Sequence, residues 1–265
     1  MKKLRRIKKS KEVKDSTIIR IDRDKRLKKK KIKIRIAVIL LLVAAICTIM
    51  LSPLFNIKEI MVEGNSKTKT DLVLSTSSIK TDTNIFQINI KKSKQYIKAI
   101  PYIDSAHIYR KLPDKVTISV TERIPVCYIK HGTGFILIDR QGRFLEILKD
   151  KPEKLPEITG LKIKSVKPGD SLGSEYSENL SALNELITEF KNLEIFERVS
   201  EINIKNPENL VFKFDGNKKI IMGENFRIDY KLMMLKATIE EIAPSEAGTI
   251  DLSKEGKALF TPDTK

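Results

Sequence analysis

PYIDSAHIYRKLPDKVTISVTERIPV, residues 101–126, contains two runs that read as strands, 103–110 and 115–122. The second sets Val116, Ile118 and Val120 against Thr117, Ser119 and Thr121, the two-residue period of a strand with one face buried. Between the runs, Leu112-Pro113-Asp114-Lys115 puts proline and aspartate where a tight turn uses them, so the pair predicts a hairpin.

Working back from the hairpin, IKEIMVEG (57–64) reads as a strand ended by Gly64, and 68–75 as a short helix with polar start signals. Residues 85–90 are apolar at alternate places, and 93–100 read as a second short helix stopped by Pro101. Strand, helix, helix, strand, strand in about seventy residues predicts one α+β domain, a three-stranded sheet with two helices on one face.

Further back, residues 36–51 are sixteen positions interrupted only by Cys47 and Thr48. As a helix they span about 24 Å. Ile34, Leu54 and Phe55 at the ends, with Lys33 and Arg35 snorkelling, bring the span to about the 30 Å of a bilayer core. Residues 1–35 hold 18 Lys or Arg against 4 Asp or Glu, whereas the remaining residues hold 33 against 30, so the net charge of +17 belongs almost wholly to one tail. Such a tail could bind nucleic acid through counterion release, but it has no aromatic residue for stacking on bases. Placed directly before an apolar segment it reads as the cytoplasmic flank that fixes topology, in contact with anionic lipid, with no specific nucleic acid expected. A cleaved signal peptide is disfavoured by the thirty-five-residue charged region and the lack of a small-x-small site before Ser52. The expectation is an uncleaved single-pass anchor over 34–54, with the N-terminus cytoplasmic and the rest extracytoplasmic.

Beyond the hairpin, FILIDRQGRFLEI (135–147) reads as a second hairpin, with Asp139 at its turn. Leu180, Leu183, Leu186, Ile187 and Phe190 share one helical face, as do Ile228, Leu232, Leu235, Ile239 and Ile242. Between those helices EINIKN, LVFKFDG and KKIIMGE read as short strands. The exterior part has a single cysteine, Cys127, read as a small buried hydrophobe.

Residues 101–126 resemble the signature of the polypeptide-transport-associated (POTRA) domain of the bacterial FtsQ/DivIB cell-division family. Tyr102, Leu112, Pro113, Glu122, Arg123, Pro125 and Val126 stand at the family's motif places, and GNSKTKTDLVLS, NIFQIN, LPEITGL (155–161) and TIDLSKEGKALFTP resemble its other segments. The resemblance implies a tail at 1–33, an anchor at 34–54, a POTRA domain of order β-α-α-β-β at 55–123 and a mixed, strand-rich domain with flanking helices at 124–262. It implies a non-enzymatic scaffold of the division complex that binds FtsL-type and FtsB/DivIC-type single-pass proteins at the septum and helps regulate septal peptidoglycan synthesis. The implied partner site is the last helix and closing strands: Tyr230, then Thr249, Ile250, Asp251 and Leu252, then Lys257, Ala258, Leu259 and Phe260. The plain alternative for these nine residues is a strand enclosed in its own sheet.

Signs of catalysis are few. His107 and His131 have no partner at ligand spacing, and read as surface polar groups; neither a metal nor a cofactor is expected. Gly132-Thr133-Gly134 reads as a turn, and Met222, Met233 and Met234 as core filler. The enzymatic alternative is a membrane-anchored wall-active enzyme, since glycoside hydrolysis needs only two carboxylates that meet in the fold.

Overall fold

The computed structural model describes residues 29–163, 166–224, 227–254 and 256–263; most of the basic tail expected at 1–33 lies outside them. Helix α1 (Lys29–Met50) is long and apolar enough to cross a membrane, and its side chains are exposed along nearly its whole length. It begins before the expected residue 34 and ends before 54, because Pro53 has no N–H to continue the ladder and instead opens a 3₁₀ turn, Pro53–Phe55.

The chain forms two compact units: one joins the described part of 1–60 to residues 80–88 and 110–116, and the other holds 61–79, 89–109 and 117–265. In the first, Asn84 Nδ2 donates to the carbonyl of Met50 at the end of α1 (2.9 Å), and Ile85 N donates to Phe55 O (2.8 Å). Arg110 reaches the same loop, donating from Nε to Ile85 O (2.7 Å) and from Nη2 to Ile88 O (3.1 Å). Lys58 N donates to Asp114 O (2.8 Å), and the ion pairs Lys58–Asp114 (3.3 Å) and Lys115–Glu59 (2.6 Å) flank that contact. Residues 85–90, despite their alternation, form no strand: Asn89 Oδ1 accepts from Lys92 N and starts a helix at Ile90, earlier than the expected residue 93.

Strands β1 (Glu59–Glu63), β2 (Ile103–Lys111) and β3 (Lys115–Glu122) form a sheet of order β1-β3-β2, and helices α2 (Thr70–Ser77) and α3 (Ile90–Lys98) pack on each other. Val116, Ile118 and Val120 are buried as their alternation predicts. Gly64 ends β1 at φ +85°, where a Cβ would stand 2.1 Å from the carbonyl oxygen of Val120; no other residue fits there.

The larger sheet has nine strands in the order β12-β11-β10-β9-β8-β7-β4-β5-β6. They are β4 (Pro125–His131), β5 (Gly134–Asp139), β6 (Phe144–Leu148), β7 (Glu157–Thr159), β8 (Val199–Asn203), β9 (Val211–Phe214), β10 (Lys218–Ile221), β11 (Gly248–Asp251) and β12 (Leu259–Pro262). Helix α4 (Ser177–Asn192) connects the parallel neighbours β7 and β8, and α5 (Ile228–Glu241) connects the parallel neighbours β10 and β11. Both connections step the same way across strands of the same sense, so right-handed crossovers put both helices on one face. There Leu183, Leu186, Ile187, Phe190, Leu232, Leu235 and Ile239 cover Ile158, Ile202, Phe212, Ile220 and Ile250 in one core.

On the opposite face the strands carry polar side chains: Glu201 pairs with Lys213 (2.6 Å) and accepts from Thr159 Oγ1 (3.0 Å). At β4–β6 that face carries an apolar cluster, where Tyr128, Leu137 and Leu145 gather with Tyr102 and Phe135. Tyr102 donates its hydroxyl to Glu146 Oε2 (2.9 Å). Burial and the Glu157 carboxylate push the Tyr128 phenol up to about 12, so it stays a donor at neutral pH. Cys127 is fully buried, and burial, with the Asp139 charge near it, pushes its thiol well above the usual range. The methionines divide: Met222 is buried and Met234 packs on the core, but Met233 is exposed, because it lies on the solvent side of α5.

Glu122 and Arg123 work in opposite directions from the end of β3. The Glu122 carboxylate accepts from Ser66 N (3.0 Å), Lys67 N (2.8 Å) and Thr68 N (2.6 Å). Partial burial raises its pKa, but those donors outweigh it and hold the carboxyl below the usual range. Arg123 donates to Ile103 O, Asp104, Asp139 and Gln141, with its contacts at 3.3 Å to Ile103, 2.9 Å to Asp104 and 2.5 Å to Asp139. Asp139 is therefore more than a turn residue: its Oδ1 accepts from Gln141 N and Arg143 N at 2.8 Å, while Oδ2 takes the guanidinium.

The Arg123 and Asp139 side chains are only 11% and 6% exposed. Removing one charge strands the other, so Arg123→Met is expected to cost about 3 kcal/mol in denaturant unfolding of the detergent-solubilised chain. Arg123→Met with Asp139→Asn should fall short of the sum of the single losses by about 2 kcal/mol; strict additivity would mean the pair is not coupled. Because Glu122 has a depressed folded pKa, its contribution is complete above the usual carboxylate value and disappears as pH falls through the folded value. Glu122→Gln should cost about 1 kcal/mol at pH 7, and melting curves of the two proteins should converge on acidification.

Candidate functional site

Among the described residues the large sheet ends on one side in β12, whose one neighbour is β11, and on the other in β6. Strand β12 pairs antiparallel with β11 in the register Gly248↔Pro262, Thr249↔Thr261, Ile250↔Phe260 and Asp251↔Leu259. Asp263 N donates to Ala247 O (3.1 Å), one step beyond that register. In an antiparallel ladder, hydrogen-bonded pairs alternate, so Thr261 and Leu259 also turn their backbone groups toward β11. Gly248 N and Leu252 N donate the other way, to Asn217 O (3.3 Å) and Ile221 O (2.9 Å) on the β10 side, as the same alternation requires.

Phe260 and Pro262 consequently aim their backbone groups outward. Pro262 has no N–H, so the outer row consists of the Phe260 N–H and the carbonyls of Phe260 and Pro262. Proline is tolerated there because the donor it lacks would have faced away from the sheet.

Side chains alternate across the same strand. Phe260 turns inward and packs on the core opposite the buried Ile250. Its ring lies over Gly248: a Cβ there would stand 2.5 Å from Phe260 Cε2 and 2.5 Å from Thr261 O. Leu259, 56% exposed, and Thr261 turn to the opposite face, beside Asp251 and Thr249.

The structure brings most of the nine residues singled out from the sequence to one end of the sheet, in different roles. Ile250 and Leu252 are fully buried and present no side chain to a partner, because both face the core packed against α4 and α5. Thr249 and Asp251 are half-buried, and the Asp251 carboxylate accepts from Ser253 N (2.8 Å), which with the Ser253 hydroxyl lowers its pKa. Lys257 is exposed and Ala258 half-buried against the core. Tyr230 lines a pocket of about 120 Å³ with Glu224, Arg227, Lys231, Met234, Ser253, Lys254 and Gly256, so the last helix and the turn before β12 share one surface. The guanidinium of Arg227 lies 4.5 Å over the Tyr230 ring. Lys231 is buried and its Nζ donates to Met222 O (2.8 Å) and Glu224 O (2.7 Å), fixing the chain that leads into α5.

Gly248, Arg227 and Pro262 were not singled out from the sequence. Pro262 could have been, since a proline in alternating residues marks an edge strand.

A second cleft, of about 310 Å³, gathers the carboxylates of Asp104, Glu122 and Asp139 with Arg140 and Lys191. All three carboxylates are already engaged, by Arg123 or by backbone N–H groups. Glu122, held below the usual range, has no proton to give at neutral pH. Among the described residues, no group of three His, Cys, Asp or Glu is placed to hold a metal ion.

Residues 55–123 match the family description "POTRA domain, FtsQ-type", and residues 127–253 match "Cell division protein FtsQ/DivIB, C-terminal". The chain is 30% identical over 226 residues to cell division protein DivIB of Clostridium tetani, covering 83% of this chain and 84% of that protein. It is 31% identical over 211 residues to DivIB of Clostridium acetobutylicum, covering 79% and 84%. Against cell division protein FtsQ of Corynebacterium glutamicum it is 25% identical over 175 residues, covering 65% and 73%. With both family matches in sequence order and 30% identity over most of both chains, the chain belongs to the FtsQ/DivIB family of cell division proteins.

Proposed function

We propose that the chain is a non-enzymatic scaffold of the division complex, anchored by α1 with its N-terminus in the cytoplasm and its folded units outside, at the division septum. It binds FtsL-type and FtsB/DivIC-type single-pass proteins and through them helps regulate septal peptidoglycan synthesis. The cationic tail before α1 supports this orientation, since basic flanks stay cytoplasmic. The single observation that carries the reading is the open outer row of β12.

A partner strand laid along β12 would donate to the Phe260 and Pro262 carbonyls and accept from the Phe260 N–H. Leu259 and Thr261 would contact its side chains on the polar face, and the Tyr230 pocket would hold what leads into or out of that strand.

Backbone pairing separates cleanly from side-chain packing at one position. Phe260→Ala keeps the outward N–H and loses the ring; Phe260→Pro loses both. If the partner pairs with the strand, co-purification with the DivIC-type protein should fall about fivefold or more from the alanine to the proline variant, at equal melting temperature. Equal retention by both would rule out strand addition. Leu259→Pro is a poorer probe, because the Leu259 N–H belongs to the β11 ladder. Gly248→Ala should push Phe260 and the Thr261 carbonyl aside and abolish binding while the α4 and α5 core stays folded by near-ultraviolet circular dichroism. Release of fragments from purified peptidoglycan by the wild-type chain would instead favour the wall-active enzyme.

A further inference from the structure

We propose that the unit built on the end of α1 docks on the outer surface of the bilayer, with the hairpin tip at Leu112 entering the interface and Lys80 and Lys111 meeting anionic phospholipid headgroups. The inference rests on α1 spanning the membrane. Its first support is length. The apolar run of sixteen residues covers about 24 Å as a helix, whereas a hydrocarbon core is about 30 Å thick. A short span is drawn inward until flanking residues take up the difference, so Leu51, Leu54 and Phe55 sit at the boundary.

The second support is that these flanking residues are tied to a folded surface. Asn84 is bonded to the last carbonyl of α1, and Ile85 to Phe55, so the 80–88 loop stays at the helix exit. Arg110 is spent on the carbonyls of Ile85 and Ile88, which brings the tip that follows it beside the same loop. Three large apolar side chains there face solvent, Leu51 at 61%, Leu54 at 59% and Leu112 at 58% exposure. The rings of Phe55 and Phe86 lie 5.1 Å apart and half-buried, an apolar contact that ties the helix exit to the same loop.

The third support is charge. In this unit Lys58 and Lys115 are paired with Asp114 and Glu59, and Arg110 keeps its charge while its N–H groups are held by carbonyls. Lys80 and Lys111 are exposed and in no ion pair among the described residues, and Lys111 is adjacent to Leu112. An exposed leucine beside an unpaired lysine suits acyl chain and headgroup together, and a water-facing protein partner would not need the alignment with the helix exit.

The chain contains no tryptophan, so a single introduced indole reports alone. The full chain is reconstituted in vesicles of phosphatidylcholine, with or without phosphatidylglycerol, carrying Leu42→Trp, Leu112→Trp or Met233→Trp. Lipid brominated near the headgroup end of its acyl chains should quench Leu112→Trp and shield it from iodide, while Met233→Trp stays open to iodide. Adding Lys111→Ala to Leu112→Trp should lower the docked-to-free ratio about fivefold with phosphatidylglycerol and leave it unchanged without. Deeply brominated lipid should quench Leu42→Trp in α1; failure there would overturn the spanning anchor itself. Quenching of Leu42→Trp with Leu112→Trp fully open to iodide in both vesicles would overturn the docking alone. Quenching of Leu112→Trp indifferent to phosphatidylglycerol and to Lys111→Ala would overturn the headgroup contact.

Discussion

A single guanidinium closes the space between the first hairpin and the second. Arg123 reaches a backbone carbonyl, two carboxylates and an amide oxygen drawn from residues 103–104 and 139–141. Its planar fork can serve several acceptors at once, which a lysine could not do. Because neighbouring residues at the end of a strand point opposite ways, Glu122 is left free to gather the N–H groups of 66–68. Two consecutive charged residues thereby order loops on either side of the strand that carries them. Tyr102 adds an apolar contact to the same region, its ring packed with Tyr128 and its hydroxyl on Glu146.

Among the described residues, α4 and α5 cover the large sheet on one face, and its surfaces follow from that. Both crossover helices share the face because both step the same way. On the opposite face, Glu201, Lys213 and Thr159 satisfy one another. Since β11 is drawn in beside β10 by the second crossover, the strand after it has nowhere to go but outside.

Local patterns were legible in the sequence. Alternation gave β3, the apolar stripes gave α4 and α5, and glycine and proline marked the turns. Boundaries moved where a side chain intervened, as at α3, which Asn89 starts three residues early. Long-range choices were not legible: nothing in Glu157-Ile158-Thr159 says that it lies between β4 and β8. The same holds for the ion pair of Arg123 with Asp139, since a turn aspartate and a buried one look alike without the fold. Of the nine residues singled out from the sequence, chemical type could not separate Ile250 and Leu252, which face the core, from Leu259, which faces solvent. That distinction depends on which strand is last.

The missing hydrogen at Pro262 bears on self-recognition. Two copies of this chain meeting β12 to β12 would bring one outward donor each, too few to hold a continuous ladder, so this edge has little tendency to pair with itself. A foreign segment rich in free amides meets no such shortage, because it brings the hydrogens that this border lacks. The border is thus biased toward unlike company, and the bias resides in an imino acid through the hydrogen it does not carry.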